Sequence, residues 1–204
     1  MCNNVNMAQR TFIFIGRSGC GKGTQAALLM HELEQRDPEK RPILYLETGA
    51  KFREFIKGDK YSNKLASKIL ESGDRQPDFL AVWNWSAILV NEMDSQKHLI
   101  VDGMPRSYQE ALVFDSAINF YNLSRPVVIY INVSKEHSRE RLVLRGRADD
   151  ILPEVIEKRL SWFDTEVNPA IEYFKHHSGY LLVEVNGEQA IEKVFADIVA
   201  RLSW

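Results

Sequence analysis

The chain has 204 residues, 45% of them hydrophobic, enough to bury a full core in one globular domain with room for a small insertion. Its 26 Lys+Arg against 28 Asp+Glu give a formal net charge of -2 with no long block of like charge, which excludes a global attraction to nucleic acid. Two cysteines, Cys2 and Cys20, exclude a disulfide framework and a four-cysteine zinc site.

The opening stretch, MCNNVNMAQR, lacks the apolar core of a signal peptide, so a cytoplasmic setting away from membranes is expected. The first apolar run, TFIFIG, predicts a buried strand and is too short to span a bilayer. It leads through the glycine-rich loop GRSGCGKGT into a helical pattern, TQAALLMHELEQR. A second strand is expected at PILYLETG, followed by a region, residues 48 to 80, with two helical stretches and no strand. Further along come a helix at DFLAVWNWSAILVNEM, a strand at HLIVDG, a helix at SYQEALVFDSAINFY, a strand at PVVIYINV and a helix at SKEHSRERLVLR. One continuous helical pattern is read over PEVIEKRLSWFDTEVNPAIEYFKHH, then a last strand at YLLVEV and a helix at GEQAIEKVFADIVARL. The strand runs are nearly continuous in apolar character and are separated by helices, as in a parallel sheet covered on both faces. The expected class is α/β: a doubly wound, five-stranded parallel sheet flanked by helices, with a small helical insertion.

Residues 16 to 24 carry the clearest chemical signal. A buried strand, a loop with Gly16 and Gly21 before Lys22, and then a helix make a phosphate-binding loop. Glycines let backbone N–H groups turn toward phosphate oxygens, the helix N-terminus adds partial positive charge, and Lys22 adds a full one. A glycine-rich turn that binds nothing is the plainer alternative, and spacing, lysine and context together disfavour it. The strict pattern puts Ser or Thr directly after the lysine as a magnesium ligand, but here Gly23 stands there and Thr24 comes next. A metal would then be held by phosphates, waters and a carboxylate elsewhere. Asp102, ending the apolar strand HLIV, is the candidate, because ligands of open parallel sheets gather at the carboxyl ends of strands. A plain turn-forming Asp-Gly is the alternative there.

The succession GKGTQ, TGAKFR and DGMPR resembles the adenylate kinases and their nucleoside monophosphate kinase relatives, from the first strand to the last helix. The resemblance implies a P-loop core of residues 1–47 and 81–204, an insertion over 48–80 that binds the monophosphate, and a lid over ATP. It implies reversible transfer of the γ-phosphoryl group of MgATP to a nucleoside monophosphate, AMP being the first expectation, by a monomer. Gly19, Cys20, Gly21, Lys22, Gly23 and Thr24 match the ATP loop, with Arg141 and Arg145 on the ATP side. Thr48, Gly49, Arg53, Gln76, Gly103 and Arg106 match or neighbour the monophosphate motifs, Arg53 and Arg106 clamping the phosphate through guanidinium forks. Lys22, Arg106, Arg141, Arg147 and Arg159 are the expected catalytic cations, Lys158 being the alternative to Arg159; Asp102 would hold Mg2+ through water. Such a transfer needs positioning and charge neutralisation rather than a general base, and the five histidines have no nucleophile motif near them.

Three departures from the family pattern qualify what is carried over. LRGRADD leaves one residue between Arg145 and Arg147, so the lid, residues 145–150, is expected to be vestigial and to permit more ATP hydrolysis without acceptor. Glu110 stands where adenylate kinases have a glutamine that reads adenine, and Gln109 precedes it. An ionised carboxylate only accepts hydrogen bonds and suits guanine, an amide suits adenine, and Glu110 facing solvent is a third option. Gln76 and Pro77 also differ from typical members. The acceptor therefore stays open to GMP, UMP, CMP or a deoxynucleotide, and a nucleotide-binding regulator with weak transfer is the rival from another class. Trp83, Trp85 and Trp162 are read as core or hinge packing.

Overall fold

The computed structural model describes residues 8–123, 125–147, 152–202 and 204. One parallel sheet holds β1 (Thr11–Ile15), β2 (Ile43–Glu47), β3 (His98–Asp102), β4 (Val127–Asn132) and β5 (Leu181–Asn186), in the order β2-β3-β1-β4-β5. Alternation along β1 accounts for its unbroken apolar run. Ile13 and Ile15 face one layer, with Leu46, Val101 and Phe114, whereas Phe12 and Phe14 face the other, with Leu29, Leu33 and Ile198. The first layer is roofed by α4 (Asp78–Glu92), α5 (Tyr108–Phe120) and α8 (Asn168–His176), the second by α1 (Lys22–Arg36) and α9 (Ile191–Val199). The sheet extends from β1 through β3 to the edge strand β2 on one side and through β4 to β5 on the other; the chain builds the first side, then crosses β1 to build the second. The carboxyl end of β1 is therefore the switch point where a ligand crevice opens, and the glycine loop follows it directly.

Between β2 and α4 lie α2 (Thr48–Phe55) and α3 (Tyr61–Glu71), around a small core of Phe52, Ala66, Leu80 and Ala81. The strand expected through Gly49 stops at Glu47, because the Thr48 hydroxyl turns to the carbonyls of Gly103 (3.1 Å) and Asp102 (3.4 Å) and the chain starts a helix. On the other side of the crevice, α6 (Lys135–Arg145) packs Leu142 against Ile156 and Leu160 of α7 (Pro153–Trp162).

The single helix read over residues 153–177 is corrected. It is interrupted after α7 by a π-helical turn, Phe163–Val167, in which the Asn168 N–H reaches back to the Phe163 carbonyl. Pro169 explains the wide turn: it has no N–H to give, and its ring would crowd the carbonyl four residues earlier in regular winding. Among the described residues no helix is long and apolar enough to cross a membrane.

At the opposite end of the sheet from the crevice, a polar cluster is sealed from water. His98 and Asp37 are both buried; the Arg10 amide donates to His98 Nδ1 (2.9 Å), and His98 Nε2 lies 3.2 Å from Asp37 Oδ2. Since Nδ1 accepts, Nε2 carries the proton, and a second proton would break the Arg10 bond. Burial accordingly pushes the His98 pKa below its ordinary 6.5, against the opposing pull of Asp37. The unfolded chain takes up a proton near pH 6.5 that folded His98 declines, so stability is expected to fall as pH drops below about 6.5. Thermal denaturation between pH 7.5 and 5.5 checks this. The slope should shrink in His98→Gln and persist in a variant of the exposed His31.

Candidate active site

The loop after β1 turns through left-handed glycines: φ is 86° at Gly19 and 97° at Gly21. Gly21 is the N-cap of α1, with no side-chain cap and no acidic residue in the first turn, so the first N–H groups of the helix are left for an anion. A Cβ on Gly21 would also meet Arg141 Nη1 at 3.3 Å. Lys22 Nζ donates to the carbonyls of Gly16 and Arg17, both at 2.9 Å, so its ammonium lies over the loop. Cys20 is the exception among the loop residues: its side chain is 2% exposed and belongs to the core beneath, leaving only its backbone toward the site.

Opposite the loop, α2 and the turn after β3 bring two guanidiniums together. A Cβ on Gly49 would lie 3.2 Å from Arg53 Nη1 and 3.8 Å from Arg106 Nη2, so a bare backbone separates the two forks. Arg106 Nε donates to the Gly103 carbonyl (2.6 Å), and Nη2 reaches Thr48 Oγ1 (3.5 Å). Thr48 is itself buried, so it braces Arg106 rather than facing the crevice. Burial pulls the Arg106 pKa down; the charges of Arg159 and Arg53 add to that, and those of Glu110 and Asp102 oppose it. Arg53 pairs with Glu47 (2.8 Å), a carboxylate at the end of β2 that the motif reading did not single out.

These groups line one open cleft of about 580 Å³ between loop and insertion, a size that holds nucleotides. Arg141, Arg145, Arg147 and Arg159 line it as well, drawn from α6, the segment after it and α7. Of the two candidates at this position, Arg159 lines the cleft, whereas Lys158 pairs with Asp74 at 2.7 Å. Trp162, expected only to pack, lines the cleft too and donates from Nε1 to the Gly73 carbonyl (3.2 Å). Gln76 lines the cleft as well; its Nε2 donates to the Ala66 carbonyl (2.8 Å), and its buried Oε1 has no hydrogen-bond partner among the described residues. Residues 148–150 of the expected lid, with Asp149 and Asp150, lie outside the described residues.

The proposed readers of the base need correction. Neither Gln109 nor Glu110 lines the cleft: Gln109 is exposed on the surface of α5, and Glu110 is 2% exposed. The Glu110 carboxylate accepts from the Arg106 backbone N–H on one oxygen and from Trp85 Nε1 (3.1 Å) on the other. Burial raises its pKa, and the Arg106 N–H and the charges of Arg106 and Arg75 restrain that rise. The reason is local: Ser107 is the N-cap of α5, its hydroxyl accepting from Glu110 N, so Ser107-Tyr108-Gln109-Glu110 is a capping arrangement. That signal is present in the sequence. Of the other tryptophans, Trp85 is core, while Trp83 is half-exposed against Phe55, with ring centroids 5.3 Å apart.

Asp102 ends β3 at the cleft, where it is 7% exposed, and its Oδ2 accepts from the Tyr45 hydroxyl at 2.9 Å. Burial first, then the neighbouring Asp102 and Glu47 charges, pushes the Tyr45 pKa far up, so the phenol is a permanent donor. A hard carboxylate oxygen beside an anion-binding loop fits Mg2+, which takes its remaining ligands from phosphate and water. Among the described residues no cluster of three metal-ligating side chains exists.

A glycine loop at the switch point of a parallel sheet, capped by a helix N-terminus and faced by converging arginines, defines a P-loop phosphotransferase. A family model described as adenylate kinase matches residues 14–179. The adenylate kinase of Prochlorococcus marinus (strain MIT 9515) is 31% identical over 195 residues, 96% of this chain and 100% of that protein. That of Bacteroides fragilis (strain YCH46) is 32% identical over 190 residues, 91% and 94% of the two chains. The chain belongs to the adenylate kinase family and is a nucleoside monophosphate kinase, transferring phosphoryl groups between nucleotides.

Proposed function

We propose that the protein moves the γ-phosphoryl group of MgATP reversibly to AMP, giving two ADP, as a cytoplasmic monomer. The observation that carries this is the convergence of Lys22, Arg53, Arg106, Arg141 and Arg159 on one cleft between the loop and α2. Two nucleotides brought end to end crowd their phosphate oxygens together, and fixed cations on both sides of the transfer path stabilise the charge that spreads over the moving group. In this reading residues 48–80 form the acceptor insertion, and residues 1–47 and 81–204 form the core, with a vestigial lid at 145–150.

The loop residues Gly19 to Thr24 and Lys22 hold the ATP phosphates, with Arg141 and Arg145 beside them. Arg53 and Arg106 grip the acceptor phosphate across Gly49 and Gly103. Arg147 and Arg159 bridge the two nucleotides. Bound through Asp102 and water, Mg2+ would neutralise phosphate charge and fix the geometry of the donor phosphates. The acceptor phosphate is already an anion and needs no base to activate it. For the base, Gln76 is compatible with adenine: its amide Nε2 is held by Ala66, and its Oε1, once uncovered, would accept from an exocyclic amino group, which adenine shares with guanine and cytosine and which uracil lacks. The relatives named adenylate kinase point the same way.

Phosphoryl transfer from MgATP measured across AMP, GMP, UMP, CMP and their deoxy forms, with an acceptor-free control, tests the reading. Turnover fastest with AMP is the expected result. Preference for another base would replace AMP as the acceptor, and binding without transfer to any acceptor would make the protein a nucleotide-binding regulator. A high acceptor-free rate of ATP hydrolysis would fit the short lid.

A further inference from the structure

Tyr45 matches none of the three motifs, yet it touches the carboxylate at the centre of the cleft. In the parallel register of β2 and β3, Tyr45 pairs with Ile100 and Glu47 with Asp102. Tyr45 and Glu47 share one face of β2, being two residues apart, and the phenol extends along the strands to meet Asp102 Oδ2 at 2.9 Å. Across from them stands Gly23. A Cβ there would come 3.3 Å from Asp102 Oδ2 and 4.0 Å from the Tyr45 hydroxyl. The carboxylate and phenol thus press against the bare backbone at the position where phosphate loops of the strict pattern carry a hydroxyl ligand. Loss of the loop hydroxyl leaves Asp102 to meet the metal's water shell, and a carboxylate at the end of a strand can rotate.

We infer that Tyr45 is a positioning residue for metal-nucleotide binding: its hydroxyl locks the rotation of Asp102 so that the carboxylate faces the water shell of the magnesium ion bound with ATP. This rests on the reading of Asp102 as the metal-holding residue. Partners that orient a metal's direct ligands typically contribute about 10- to 100-fold in metal affinity or activity; Tyr45 acts one shell further out, through Asp102 and water, so the low end of that range is expected.

Tyr45→Phe removes the one hydroxyl and keeps the ring. ATP binding to the full-length protein would be measured by calorimetry with and without Mg2+, alongside the water-shell signal of Mn2+ in the Mn-ATP complex by electron paramagnetic resonance. Asp102→Asn serves as reference, and circular dichroism establishes a temperature at which every variant is folded. The expected result is that the affinity gain from metal shrinks about tenfold in Tyr45→Phe, while metal-free ATP binds as before. A purely structural role would weaken both equally, or neither, and either outcome overturns the inference. If Asp102→Asn weakens metal-dependent binding and Tyr45→Phe does not, the inference alone fails. If Asp102→Asn itself leaves metal dependence unchanged, the reading of Asp102 fails and takes the inference with it.

Discussion

Lys22→Ala is expected to lower kcat for phosphoryl transfer about a thousandfold or more while leaving the protein folded. The magnitude follows from what a single fixed cation on the transferring phosphates contributes in related phosphoryl transfers, about 10³ to 10⁵. Folding should survive because, among the described residues, the ammonium bonds only to the Gly16 and Arg17 carbonyls and makes a 3.5 Å contact with Cys20 Sγ. Gly16 and Arg17 are both part-exposed, so their carbonyls can turn to water. Steady-state transfer and thermal denaturation on the same preparation separate the two effects. Near-normal turnover would sink the loop mechanism, and a large loss of stability would mean that Lys22 serves the loop's architecture more than the phosphates.

Trp85→Ala is expected to cost about 3–5 kcal/mol of stability, the range for deleting a large aromatic from a packed core. Trp85 is 1% exposed and meets Phe114 edge to face, with ring centroids 5.6 Å apart and planes at 83°. Its loss would open a cavity between α4 and α5 and leave one oxygen of the buried Glu110 carboxylate without its N–H partner. Trp85→Phe isolates the second effect: the ring is largely kept, the N–H is lost, and about 1–3 kcal/mol should go with it. Because the other Glu110 oxygen holds the Arg106 backbone, the damage reaches the cleft that Arg106 lines. Urea denaturation of the three proteins measures the steps. A loss below about 1 kcal/mol in Trp85→Ala would contradict the packing described.

The strands were legible because a parallel sheet dry on both faces admits only continuous apolar runs, and Phe12 to Phe14 could be little else. The loop was legible because glycine and lysine spacing follows from phosphate geometry. The misses have physical reasons of their own. Thr48 reads as a continuation of a β-prone run, yet its hydroxyl finds partners in the carbonyls of Asp102 and Gly103, at and just past the end of β3. Glu110 was weighed as a reader of the base because its place in a motif suggested it, while its nearer neighbour Ser107 was already fixing it as a cap. Tyr45 and Glu47 escaped notice because alternation along β2 places them toward the cleft only once β3 lies beside it. No local pattern announces a tertiary partner 57 residues away, as Asp102 is from Tyr45.

The π-helical turn between α7 and α8 sets a phase. One added residue of winding rotates everything beyond it by about 100° relative to an uninterrupted helix. Upstream, α7 aims Arg159 and Trp162 into the cleft; downstream, α8 aims Ala170, Ile171 and Phe174 into the sheet's packing layer. The turn works like a keyed coupling between two shafts: removing one residue, Thr165 for instance, would force regular winding against Pro169 and put the two shafts out of time. Either Arg159 would swing out of the cleft or the apolar stripe would swing out to water. A helix junction would ordinarily tolerate such a length change, whereas here the count of residues between Trp162 and Asn168 is itself part of the site.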